Sequence, residues 1–115
     1  MRNMAISNEN DNRLVTGTSD ADKIENRGST VRINAGAGDD TINNYSGSNV
    51  TINGDAGNDY VYSSSNSSNY LKISGGSGND SIYSSGDHST ISGGDGDDSI
   101  WNNGSYSTIS AGGGP

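Results

Sequence analysis

The sequence contains no cysteine and no phenylalanine, one proline, one histidine and six basic residues. Each shortage excludes something. Without cysteine there is no disulfide framework and no thiolate metal site. Six Lys and Arg stand against fourteen Asp and Glu, a formal net charge of -8. Such a chain has no basic patch to neutralise phosphates, which argues against nucleic acid and against an anionic membrane surface. No apolar run approaches the length of a transmembrane helix. The opening MRNMAISNENDNRLV has no apolar run, so it does not read as a secretory signal peptide. Only 27% of the 115 residues are hydrophobic, and low hydrophobicity with high net charge is the composition of chains that do not fold unaided. The length allows one small domain.

What the chain does have is a repeat. Val15, Ile24, Ile33 and Ile42 follow one another at intervals of nine residues, as do Ile52 and Val61, Ile73 and Ile82, and Ile91 and Ile100. The intervals between these groups are looser: ten residues from Ile42 to Ile52 and twelve from Val61 to Ile73. The unit is therefore 18 to 21 residues with two short strands and two turns, and a fixed period of this kind indicates a solenoid. In VTI (50–52) alternation turns Val50 and Ile52 to one face and Thr51 to the other. Val31/Ile33 and Leu71/Ile73 repeat the pattern. Coils stacked at about 4.8 Å would align these residues into apolar columns, and the 18 glycines oppose helix. Residues 1–13 show no repeat and read as a flexible lead-in to a repeat region over 14–115.

The turns after Ile33, Ile52, Ile73 and Ile91 read NAGAGDDTI, NGDAGNDYV, SGGSGNDSI and SGGDGDDSI. An aspartate holds the same register in all four: Asp40, Asp59, Asp80 and Asp98. A glycine precedes each by two residues: Gly38, Gly57, Gly78 and Gly96. Further glycines, Gly36, Gly54, Gly76 and Gly94, open the loops. Glycine permits positive φ and lets carbonyls turn inward. Carboxylates one coil apart, at about 5 Å, repel by about 0.8 kcal/mol per pair in water and by more where water is excluded. A hard cation such as calcium reverses that sign, because it takes its oxygens from carboxylates and backbone carbonyls together. These twelve residues are the candidate metal site.

The pattern G-G-x-G-x-D, then any residue and an aliphatic, resembles the haemolysin-type calcium-binding repeat of RTX proteins. GGSGNDSI (75–82) and GGDGDDSI (93–100) fit it fully. AGAGDDTI (35–42) has Ala35 at the first glycine, and GDAGNDYV (54–61) has Asp55 at the second. GTSDADKI (17–24) looks like a degenerate opening repeat: it keeps Gly17 and the further candidate ligand Asp22 but carries Thr18 and Asp20 at glycine positions. The resemblance implies an all-β fold, a right-handed parallel β-roll whose turns bind Ca2+. It also implies a secreted bacterial protein, extracellular or at the cell surface, exported by type I secretion. The last unit, ISAGGGP, stops at Pro115 before its aspartate, as expected of a fragment of a longer protein.

The chain departs from the family on one side. The alternate turns put Val31, Ser89 and Ser107 where the ligand aspartate belongs, and they vary in length. The expectation is calcium along one edge and a Ser/Asn-rich edge opposite. Tyr62, Tyr83 and Trp101 follow the second aliphatic of their coils and should stack outward, as a stabilising ladder or as a surface for a glycan or protein. His88, in a variable turn, reads as a solvated surface residue. An enzyme is not expected: glycoside hydrolysis needs paired acids in a cleft, and the aspartates here belong mostly to the loops. The function read from the sequence is a calcium-binding structural module, with an adhesin or carbohydrate-binding module as the alternative.

Overall fold

Aliphatic and threonine residues at alternate positions, interrupted every few residues by Gly, Asn or Asp, leave room for strands of three or four residues and none for a helix. A computed structural model describes residues 5–63, 70–85 and 87–112. Among them are twelve such strands and no helix. One six-stranded sheet contains β1 (Ala5–Asn8), β3 (Lys23–Asn26), β5 (Thr41–Asn44), β7 (Tyr60–Ser63), β9 (Ser81–Ser84) and β11 (Ser99–Asn102). The other contains β2 (Leu14–Thr16), β4 (Arg32–Asn34), β6 (Thr51–Asn53), β8 (Lys72–Ser74), β10 (Thr90–Ser92) and β12 (Thr108–Ser110). Odd strands pair only with odd and even with even, always in parallel. The chain is a β-solenoid of about six coils.

Register follows the aliphatic spacing. Ile6, Ile24, Ile42, Val61, Ile82 and Ile100 form one column. Val15, Ile33, Ile52, Ile73, Ile91 and Ile109 form the facing one. Val31, Val50 and Leu71 fill the core between them at one edge. A one-residue slip would turn every aliphatic to solvent, so these columns fix the pairing. The apolar core closes over the middle coils and opens at the last, where Ile109 is 48% exposed.

The coils begin before residue 14. Within the expected lead-in, Ala5–Asn8 pairs in register with Lys23–Asn26, and Ile6 lies opposite Ile24. Ile6 precedes Ile24 by 18 residues, one full coil, but residues 1–13 hold no second Val, Ile or Leu to mark a repeat. Ser67 and the terminal Pro115 lie outside the described residues.

The second turn of each coil is held by inward asparagines and serines in place of an aspartate ladder. Asn8, Asn26, Asn44, Ser63 and Ser84 end the first-sheet strands, point inward and are buried. Asn8 Nδ2 donates to Asn26 Oδ1 at 2.8 Å, Asn26 Nδ2 to Asn44 Oδ1 at 2.8 Å, and Asn44 Nδ2 to Ser63 Oγ at 3.2 Å. The same asparagines brace their own turns, as when the Gly28 N–H donates to Asn26 Oδ1 at 3.1 Å. Buried amides are tolerable because each is paired. Further round this edge, His88 stacks between Tyr70 and Tyr106, with ring centroids 5.1 and 5.2 Å away. It is a partly covered member of an aromatic stack, not a solvated residue. Its neighbours one coil away present rings at the same register, which a turn of variable length hides in the sequence.

Candidate metal centre

The six-residue loops linking second-sheet strands to first-sheet strands stack along one edge. Their aspartates form a ladder. The backbone N–H of Asp22 donates to Oδ1 of Asp40, Asp40 to Asp59, Asp59 to Asp80 and Asp80 to Asp98, each at 2.8 Å. One carboxylate oxygen of each acceptor therefore holds two coils together. The other oxygen does not: Oδ2 of Asp40, Asp59, Asp80 and Asp98 is buried with no hydrogen-bond partner. A buried carboxylate oxygen without a donor is rare and unfavourable, and here it recurs in four successive coils.

The electrostatics carry the same message. Burial pushes the Asp59 carboxyl up to about 8, against the pull of the Asp40 backbone amide region and with the help of the neighbouring Asp80 and Asp40 charges. Burial likewise raises Asp40 and Asp80 to about 6 each, with Asp22 adding to the first and Asp98 to the second. The ionised ladder is a row of like charges, and among the described residues no basic side chain forms a salt bridge with it. Among the described residues the one salt bridge, Lys23–Glu25 at 3.8 Å, lies on the outer face of the first sheet.

Glycine leaves the space that such oxygens would share with an ion. At Gly54, Gly75 and Gly93 an added Cβ would lie 2.5 Å from Oδ2 of that loop's own aspartate. It would also meet the carbonyl oxygen of the first loop residue in the next coil: Gly75, Gly93 and Ala111 at 2.7, 2.9 and 2.8 Å. Carboxylate and carbonyl thus converge on one small cradle in each of these three coils. Among the described residues no three His, Cys, Asp or Glu side chains meet at a point. A cation here would take carboxylates from successive coils and the balance of its oxygens from the backbone, which is how a hard ion such as calcium is held. The residues fit the ion.

The candidate glycines fall into three columns. Gly38, Gly57, Gly78 and Gly96 share one register, with φ between +99° and +104°. Gly36, Gly76 and Gly94 share a second, at +85° to +92°, where the preceding coil's carbonyls (of Thr18, Asp55 and Gly76) abut the Cα. Gly54 belongs to neither: it lines up with Gly17, Ala35, Gly75 and Gly93, and Asp55, at φ +70°, takes the second-column place in its coil. Gly75 and Gly93 line the cradle and stand outside the twelve residues singled out from the sequence. Alignment of loop positions, rather than the spacing back from aspartate alone, is the signal that finds them.

Asp22 lies in the same column, but its surroundings differ. The N–H of Thr18 donates to its Oδ2 at 2.6 Å and the Thr18 hydroxyl lies 2.8 Å from its Oδ1. On the opposite edge the aspartate register is held by the buried Val31, Val50, Leu71 and Ser89, so the carboxylate ladder runs along one side only. On the outer face of the first sheet, Tyr62 and Tyr83 stack with centroids 5.1 Å apart, and Trp101 continues the row. Tyr60, Ile82, Tyr83 and Trp101 line an open notch of about 290 Å3.

A family model described as RTX calcium-binding nonapeptide repeat (4 copies) matches residues 29–50, 46–67 and 74–109, most of the chain. No curated protein and no solved structure matches it.

Proposed function

The chain belongs to the RTX calcium-binding nonapeptide-repeat family, and from that premise we propose that it is a structural module whose coils are ordered by Ca2+ along one edge. One observation carries the reading: four buried aspartate oxygens, one per coil, have no donor, and three of them, on Asp59, Asp80 and Asp98, lie at glycine-lined cradles. Asp40, Asp59, Asp80 and Asp98 are the carboxylate ligands, and the glycine columns supply the carbonyls and the room. The intervals between these four loops number three, so about three ions bind within them. Calorimetric titration with calcium tests this: saturable binding near that stoichiometry supports it, and the absence of binding at millimolar calcium overturns it.

The same reading assigns the parent protein to the outside of a bacterial cell, after type I export. Extracellular modules hold calcium at about 0.1–1 mM, and a module that stays loose until it meets such concentrations suits passage through a secretion channel in an unfolded state. The lack of cysteine and of a basic patch is consistent with that setting. Among the described residues no helix is long and apolar enough to cross a membrane.

A second reading, a glycan- or protein-binding surface on the same scaffold, is favoured by the aromatic notch. Trp101, 56% exposed, and Tyr60, 46% exposed, flank it. Trp101 is the sole tryptophan, so its fluorescence reports directly on occupancy. A glycan array followed by fluorescence titration of the calcium-loaded protein decides: saturable quenching by a sugar supports the reading, and a silent array removes its glycan form.

A further inference from the structure

We propose that Thr18 closes the first loop to calcium, so that the cation ladder begins at Asp40 and the N-terminal end of the solenoid is capped without metal. This rests on the calcium reading above. Each aspartate amide donates to the carboxylate of the following coil. Asp40, Asp59, Asp80 and Asp98 therefore receive a donor on Oδ1 from the coil before. Asp22 stands first in the series.

Thr18 engages the Asp22 carboxylate from within the same loop. Its hydroxyl lies 2.8 Å from Asp22 Oδ1 and 3.1 Å from Oδ2, and its backbone N–H donates to Oδ2 at 2.6 Å. Both oxygens of Asp22 are thereby engaged within one loop. In the other loops this position is Gly36, Asp55, Gly76 or Gly94, all at positive φ, and in each of them the corresponding Oδ2 has no partner. Thr18 keeps negative φ, which turns its N–H and hydroxyl onto the carboxylate. A hydroxyl and an amide thus do for Asp22 what the ion does for the later aspartates. One oxygen of this loop is left buried without a partner, Asp20 Oδ2. It projects from the register of Gly38, and Asp20→Asn tests whether the loop admits an ion by that route.

Calcium stoichiometry of the intact chain, measured by equilibrium dialysis with circular dichroism to verify folding, decides the matter. Asp22→Asn and Asp20→Asn should each bind as many ions as the wild type, whereas Asp59→Asn should lose at least one. Thr18→Gly, which installs the residue found at this position in three other loops, should gain one ion, and Thr18→Ser, which keeps the hydroxyl, should gain none. Loss of an ion in Asp22→Asn or Asp20→Asn, or an unchanged count in Thr18→Gly, overturns the proposal. If Asp22→Asn does not fold, the Thr18→Gly and Thr18→Ser pair still decides. A wild type that binds no calcium sinks the function proposed above; a wild type that binds calcium through Asp22 sinks this inference alone.

Discussion

Asp59→Asn should change sign between metal-free and calcium-loaded protein. Asp59 stands mid-ladder: its Oδ1 accepts from the Asp40 amide, and its Oδ2 lies at the cradle shared with the Gly75 carbonyl of the next coil, so both flanking intervals draw on it. With calcium at about 1 mM and a dissociation constant of about 0.1 mM, each site contributes about 1.4 kcal/mol to folding. Losing both intervals removes about 3 kcal/mol, which lowers the melting temperature of a domain this size by on the order of 10 °C. Without calcium the substitution does the opposite. Asparagine keeps the shape and removes a buried charge that repels its two neighbours, by about 0.8 kcal/mol each even at the dielectric of water. The variant should therefore show more β signal than the wild type in chelator at pH 8 and melt earlier in calcium. Thermal melts followed by circular dichroism in both buffers make the comparison. Equal destabilisation in both would refute the reasoning, because it would mean that the carboxylate acts only as a polar turn group.

Protons should partly replace calcium. The carboxyls of Asp40 and Asp80 are raised to about 6 and that of Asp59 to about 8, above the usual 3.8. The stability they confer in the metal-free state is full below pH 3.8 and is lost as pH rises through 6 to 8, so β content in chelator should fall over that range, and calcium binding within it should release protons, read by calorimetry in buffers of different ionisation enthalpy. Asn26→Ala breaks the amide ladder in two places and should cost about 3 kcal/mol, alike at low and high calcium; a calcium-dependent loss in urea titrations would contradict the separation of the two edges. Tyr83→Ala should cost about 1 kcal/mol through the lost ring stack, and Trp101→Ala less, with calcium-induced folding retained in both; failure of either variant to fold in calcium would make the row structural and weaken the binding-surface reading.

Much of this fold is written in nine-residue spacing. Ile24, Ile33 and Ile42 fall at the register the sheets adopt because a two-strand coil has no freedom to place them elsewhere once one face is buried. The aspartate column is legible for the same reason: Asp40, Asp59, Asp80 and Asp98 sit at constant distance from an aliphatic on each side. What the sequence hides are features carried by non-aliphatic residues at inward positions. Asn26 and Asn44 look like turn residues, and only the coil stacking shows them as paired donors and acceptors in a core. On the second edge one register is left-handed at Asn12, Thr30, Asn49, His88 and Tyr106, where no glycine marks it, while Gly47 is left-handed at another position of its turn. Thr18 is hidden for a related reason: as a departure from the glycine pattern it reads as decay, while its two hydrogen bonds to Asp22 are a local substitute for the ion.

The most direct measurement is the far-ultraviolet circular dichroism of the intact chain at pH 7.5, in excess chelator and then across a calcium titration. With a core of 13 buried aliphatic and alanine side chains among the described residues and a net charge of -8, the metal-free chain should give the spectrum of a largely disordered polypeptide, and β signal should develop cooperatively as calcium approaches the millimolar range. A strong β spectrum already present in chelator, unchanged on adding calcium, would contradict folding that depends on the ion.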